Sequence, residues 1–139
     1  MYKHFYSFFS FNHFYVLAIL GCILFSCKAA RKEDCKLYKT GRFAMTAGDK
    51  QYEINRNDSI QTEFEKETGN LATFNIKWND DCSYTLTLVG DNFGLKDQAG
   101  DNTTLNFDII EATKSYYIFR QEFSFMDAGN IDTIWRARN

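Results

Sequence analysis

Proline is absent from this 139-residue chain, and histidine occurs only at His4 and His13. Without proline there is no Pro-rich linker or polyproline recognition segment to consider. With both histidines in the first 13 residues, the rest of the chain has no Ser-His-Asp or Cys-His triad, no histidine base and no histidine metal ligand. A Gly-x-Ser-x-Gly nucleophile elbow is missing too. Basic residues are in slight deficit, at a net charge of −2, which excludes a basic nucleic-acid-binding surface. No apolar stretch reaches the ~20 residues of a membrane-spanning helix. The longest runs from Phe14 to Phe25.

That run follows Lys3, the single charge before residue 28. A basic start and a 7–15-residue apolar core have the layout of a secretory signal peptide. The run closes on Leu24-Phe25-Ser26-Cys27, which resembles the bacterial lipoprotein box. The resemblance implies a signal peptide at residues 1–26, cleaved before Cys27, with diacylglycerol on the Cys27 thiol. Ile19-Leu20-Gly21-Cys22 is a second match, with a shorter apolar core before it. An uncleaved anchor from Phe5 to Phe25 is a third reading, weakened by Ser7, Ser10, Asn12 and His13. Two or three acyl chains on Cys27 suffice for stable membrane attachment, whereas one binds only marginally. Lys28 stands where an Asp would favour retention in the inner membrane, so the outer membrane is the expected location in the cell envelope.

Residues 27–34 then read as the lipidated cysteine and a solvated tether, leaving 35–139 as one domain. Cys35 and Cys82 remain as an even pair in an exported chain and are expected to form a disulfide. Two buried free thiols are the alternative.

The domain alternates at period two almost throughout. Gly41–Met45 opens it. In 51–56, Tyr52 and Ile54 share a face; in 59–65, Ile60, Thr62 and Phe64 do. Ala72, Phe74, Ile76 and Trp78 follow, then Tyr84, Leu86 and Leu88, then Leu105, Phe107 and Ile109. Tyr117, Phe119, Phe123 and Phe125 line the next run, and Ile131, Thr133 and Trp135 the last. Turn-forming residues separate the runs, as at Asn57-Asp58, Asn79-Asp80-Asp81 and Thr113-Lys114-Ser115. Clean alternation with short connections predicts an all-β fold, an antiparallel meander of about eight strands. Such a sheet hides its dry face and its edges by curling into a small barrel or clamshell.

The order resembles lipocalin-like barrels at fold level, with Gly41-Arg42-Phe43 in place of that family's Gly-x-Trp. Three stretches carry a closer resemblance: Cys35-Lys-Leu-Tyr-Lys-Thr-Gly-Arg-Phe43, Arg56-Asn-Asp-Ser-Ile-Gln-Thr-Glu63 and Ile76-Lys-Trp-Asn-Asp-Asp-Cys-Ser-Tyr-Thr-Leu86. They are similar to a family of small uncharacterised bacterial lipoproteins, some of which carry the label DNA topoisomerase IV. The resemblance implies the strand order and the cysteine pair, and no activity. An acidic, exported chain of this length lacks the large DNA-gripping domain that such a label requires.

Candidate chemistry is sparse. Asp91, Asp97 and Asp101 lie in the segment 90–102 without the ligand order of a calcium loop, so a solvated hairpin loop is expected. Asp80 and Asp81 are adjacent and read as turn formers. Arg56, Arg120 and Arg136 read as solvent-facing strand ends rather than anion anchors. The aromatics Phe74, Trp78, Tyr84, Phe107, Tyr117, Phe119 and Trp135 form either a filled core or a pocket for a small apolar ligand. No catalytic residue, metal site or cofactor is expected. The expected function is a non-enzymatic, lipid-anchored binding or interaction module of the envelope, with no nucleic-acid partner. The alternative is a lipocalin-like carrier with an internal cavity.

Overall fold

A strand with one dry face needs that face covered, and here each strand covers its neighbour by closing a ring. The computed structural model describes residues 30–100, 103–123 and 126–137. The signal segment, Cys27, Asp101 and Phe125 lie outside the described residues.

A short helix, α1 (Lys32–Lys36), precedes strands β1 (Gly41–Ala47), β2 (Lys50–Arg56), β3 (Ile60–Glu65), β4 (Leu71–Trp78) and β5 (Ser83–Asp91). A second short helix, α2 (Leu95–Ala99), leads to β6 (Thr104–Ala112), β7 (Tyr116–Phe123) and β8 (Met126–Arg136). The strands form a closed barrel in sequence order, β1 through β8. Every neighbouring pair is antiparallel, and β8 returns to β1 through Phe43–Arg136, Ala44–Trp135 and Met45–Ile134. Closure leaves no sheet edge to template aggregation. An eight-stranded ring has an interior just wide enough for side chains or one small ligand.

Alternation appears most clearly in β4, where Ala72, Phe74 and Ile76 are buried and Leu71, Asn75 and Lys77 are exposed. Tyr84, Leu86 and Leu88 do the same in β5. Ile54, Phe107, Phe119 and Ile134 complete the core from other strands. The tight β1–β2 turn needs a left-handed residue, which Gly48 supplies at φ 63°.

The segment read as a solvated tether already enters α1 at Lys32. Glu33 and Asp34 in its first turn and Lys36 in its last complement the helix dipole. Cys35 on α1 is fully buried and is bonded to Cys82, with Cα atoms 5.2 Å apart. The 90–102 segment also differs from a plain hairpin loop. Asp91 gathers it into α2, its Oδ1 accepting from the N–H of Phe93 and Leu95 and its Oδ2 from that of Lys96.

The third strand reverses the face expected from its sequence. Ile60, Thr62 and Phe64 turn outward, with Phe64 39% exposed, while Gln61 and Glu65 are buried. The cause is register. Ile54 and Arg56 of β2 face inward and pair with Glu63 and Gln61, and directly opposed residues share a face.

Candidate functional site

The barrel has two unlike ends. One carries α1, the disulfide and the hairpins at residues 57–59, 79–82 and 113–115. The other carries the hairpins at residues 48–49 and 66–70 and α2, whose Leu95 packs against the core and whose approach is tied to the 66–70 hairpin by Asn92.

At the first end the interior is filled around Arg56. Its position two residues after Ile54 places it on the inward face of β2, and it is only 4% exposed. Nε donates to Gln61 Oε1 at 2.6 Å and Nη1 to the Tyr38 carbonyl at 2.8 Å. Nη2 donates to the hydroxyls of Tyr84 at 3.1 Å and Tyr117 at 3.0 Å. Those hydroxyls lie 2.9 Å from each other. The guanidinium carbon sits 4.6 Å from the Tyr84 ring centre and 5.3 Å from that of Phe43. Burial works against the charge, but the oxygens of Tyr117 and Tyr84 more than offset it, so the guanidinium is held above its ordinary value. Burial also pushes the Tyr84 hydroxyl well above the usual tyrosine range. Tyr38, delivered by the chain just after α1, seals the end; its hydroxyl donates to the Thr113 carbonyl at 2.7 Å.

Gln61 connects this plug to the middle of the barrel. Because a guanidinium only donates, the amide must offer Oε1 to Arg56. Its Nε2 then donates to Glu63 Oε1 at 2.6 Å. Burial raises the Glu63 carboxyl above the ordinary carboxylate range, against smaller opposing effects of Gln61 and Arg56.

Toward the second end, six inward-facing residues keep accessible surface, whereas Glu65, Ala72 and Leu88 are buried. Met45, Tyr52, Glu63, Leu105, Gln121 and Asp132 are all half-buried. Glu63 is the most informative of them. Its cross-strand neighbours Ile54 and Ala72 are buried, at 1% and 5% exposure. Register sets its side chain on the same inward face, yet it is only half-buried. Beneath lie Phe74, Phe107 and Phe119, all buried. At the rim Glu65 is held 2.9 Å from Lys50, and that ammonium keeps its carboxyl below the usual range.

The aromatics singled out from the sequence separate by position. Tyr84, Tyr117 and Trp78 belong to the plug. Tyr84 stacks on Phe107 at 4.7 Å, and Trp78 packs on Tyr84 at 4.8 Å. Lys39 stands 5.2 Å over Trp78, whose buried Nε1 has no hydrogen-bond partner. Phe74, Phe107 and Phe119 form the floor of the accessible half. Trp135 joins neither: it is 51% exposed and packs against Tyr116 on the outer wall, because β8 turns Ile134 inward instead. Arg120 and Arg136 are exposed as expected, whereas Arg56 is not a solvent-facing strand end. The pattern Tyr52-x-Ile54-x-Arg56 carried that information, because it sets Arg56 on the apolar face.

The adjacent acids divide their duties. Asp80 Oδ1 accepts from the N–H of Cys82 and of Ser83, both at 2.7 Å, which closes the turn. Asp81 pairs with Lys39 at 3.1 Å and Lys36 at 3.7 Å, tying α1 to the β4–β5 hairpin. Among the described residues no group of three or more His, Cys, Asp or Glu is placed to hold a metal ion. No helix among them is long and apolar enough to cross a membrane.

No protein-family model, curated protein or solved structure matches the chain.

Proposed function

We propose that the chain is an exported, lipid-anchored carrier or binding module of the cell envelope, non-enzymatic, whose barrel accepts a small amphipathic ligand through its open half. One observation carries this reading: Glu63, a carboxylate set on the inward face by its register, keeps accessible surface although Ile54 and Ala72 beside it are buried. A barrel evolved only for stability gains nothing from a carboxylate facing its interior. Cys27 is the lipid attachment point in this reading. α1 lies at the plugged end, so an anchor at Cys27, five residues before it, leaves the accessible half facing away from the membrane in this reading.

Every strand and both disulfide cysteines lie within residues 35–136, so the chain from Lys28 onward closes on itself without the lipid. That form, expressed in an oxidising compartment, is suited to native mass spectrometry. An adduct present in the native spectrum and lost on denaturation is the expected result, and its mass begins to name the ligand. A bare mass from several expression hosts would reject the carrier reading in favour of an outer-surface interaction module. The intact mass of the protein isolated from its own cells checks the anchor: diacylglycerol on an N-terminal Cys27 is expected, and retention of residues 1–26 overturns it.

A further inference from the structure

We propose that the ligand is an amphipathic organic cation, with an ammonium head against Glu63 and an apolar body over the floor formed by Phe74, Phe107 and Phe119. The proposal deepens the carrier reading and rests on it.

The argument is one of unmatched charge. Four carboxylates face the interior or its rim: Glu63, Glu65, Asp132, set inward by its pairing with Phe119, and Asp91, paired with Ala72 and occupied by the N–H groups of Phe93, Leu95 and Lys96. The described cations on the same face are Arg56, Lys50 and, exposed at the plugged end opposite Phe43, Arg136. Lys50 is engaged by Glu65 at 2.9 Å. Arg56 spends its donors on Gln61, the Tyr38 carbonyl and the two tyrosine hydroxyls. Gln61 stands between Arg56 and Glu63, so the two meet through an amide and not as an ion pair. Among the described residues, Gln61 is the donor that Glu63 has, and no described cation lies within 4.0 Å of it. Glu63 is therefore a carboxyl on the inward face that has an amide donor and no ion pair, with Arg56 acting on it only across Gln61. Burying a charge without a partner is costly, and a ligand that brings the opposite charge removes that cost. An anionic head group would place two carboxylates together. A neutral one would leave the mismatch as it is. A compact ammonium offers three donors to the remaining lone pairs of Glu63. Burial raises the proton affinity of Glu63, in keeping with a carboxylate short of stabilising partners.

The test compares three probes of equal tail length on the chain from Lys28 onward: decylamine, decanol and decanoate, each below its aggregation concentration, by titration calorimetry. Decylamine should bind about tenfold or more tightly than decanol, as expected for a hydrogen bond to a charged group, with decanoate weakest. Glu63→Gln should erase the preference for the amine and leave decanol binding unchanged. The ranking on the unaltered protein decides the matter even if the variant folds poorly. Equal affinity for all three overturns the cation and leaves the carrier standing. Failure of all three to bind overturns both.

Discussion

The plugged end and the open half are built from the same eight strands, yet they use polar residues in opposite ways. At the plugged end a charge is buried almost completely, and its donors meet a carbonyl, an amide oxygen and two hydroxyls. In the open half a carboxylate is left with a single amide donor and with surface still accessible. A fully partnered buried charge specifies one geometry and resists change. An under-partnered one is costly and leaves room for a partner that the fold does not supply. The comparison thus separates the part of the interior that holds the fold from the part to which the proposal assigns a ligand.

Arg56→Ala is the sharpest way to break the contrast. It leaves the hydroxyls of Tyr84 and Tyr117 and the Tyr38 carbonyl without their donor and opens a cavity, so a loss of about 5 kcal/mol in denaturant unfolding is expected. An effect near zero would mean the plug does not hold the fold. Cys35→Ala with Cys82→Ala comes next. The chain-entropy model gives about 4 kcal/mol for a loop of this span, seen as a lower unfolding midpoint in the double variant. Its ligand affinity should be unchanged, because the bond belongs to the opposite end from Glu63.

Glu63→Gln should move stability the other way. Burial raises the folded-state pKa of Glu63 above its unfolded value. The wild type therefore loses stability as pH rises from the unfolded value through the folded one, and the neutral variant does not. The variant should be the more stable protein at neutral pH, and the gap should close on acidification below the unfolded pKa. Glu65 is the counter-case: its folded pKa is lowered by Lys50, so its contribution is present above the unfolded value and lost as pH falls through the folded one. Urea unfolding of wild type and variant across that range checks both signs. The smallest change expected is from Trp135→Ala. This residue stacks on Tyr116 on the outer wall, so it should cost about 1 kcal/mol and leave ligand binding untouched.

The antiparallel strand order was legible because β4 and β5 pair large apolar residues with polar ones at strict period two, whereas that period leaves barrel or clamshell open, since closure rests on the β1–β8 seam. The face of β3 was not legible, and the reason is instructive. Period two says that alternate residues share a side, but not which side is inward. With Ile60 and Phe64 set against Gln61 and Glu63, hydrophobicity alone chose wrongly. The choice is made by the β2–β3 hairpin, where Asn57 Oδ1 accepts from the N–H of Ser59 and Ile60 and fixes Arg56 opposite Gln61. The candidate site was hidden for the same reason, since its polar members sit on that strand. α1 escaped notice because five residues make too short a helix to show a period.

The seam between β1 and β8 carries a consequence for how the ring is assembled. Every other strand pair joins neighbours in sequence, so seven hairpin contacts can zip locally from either end of the chain. Only the seam joins residues as distant as Phe43 and Arg136. Its loop-closure entropy is met once, after the local pairs have formed. Until that step the nascent sheet has two open edges and an uncovered floor of aromatic rings. The interval before ring closure is thus when this chain is most exposed to strand-swapping with a second copy of itself.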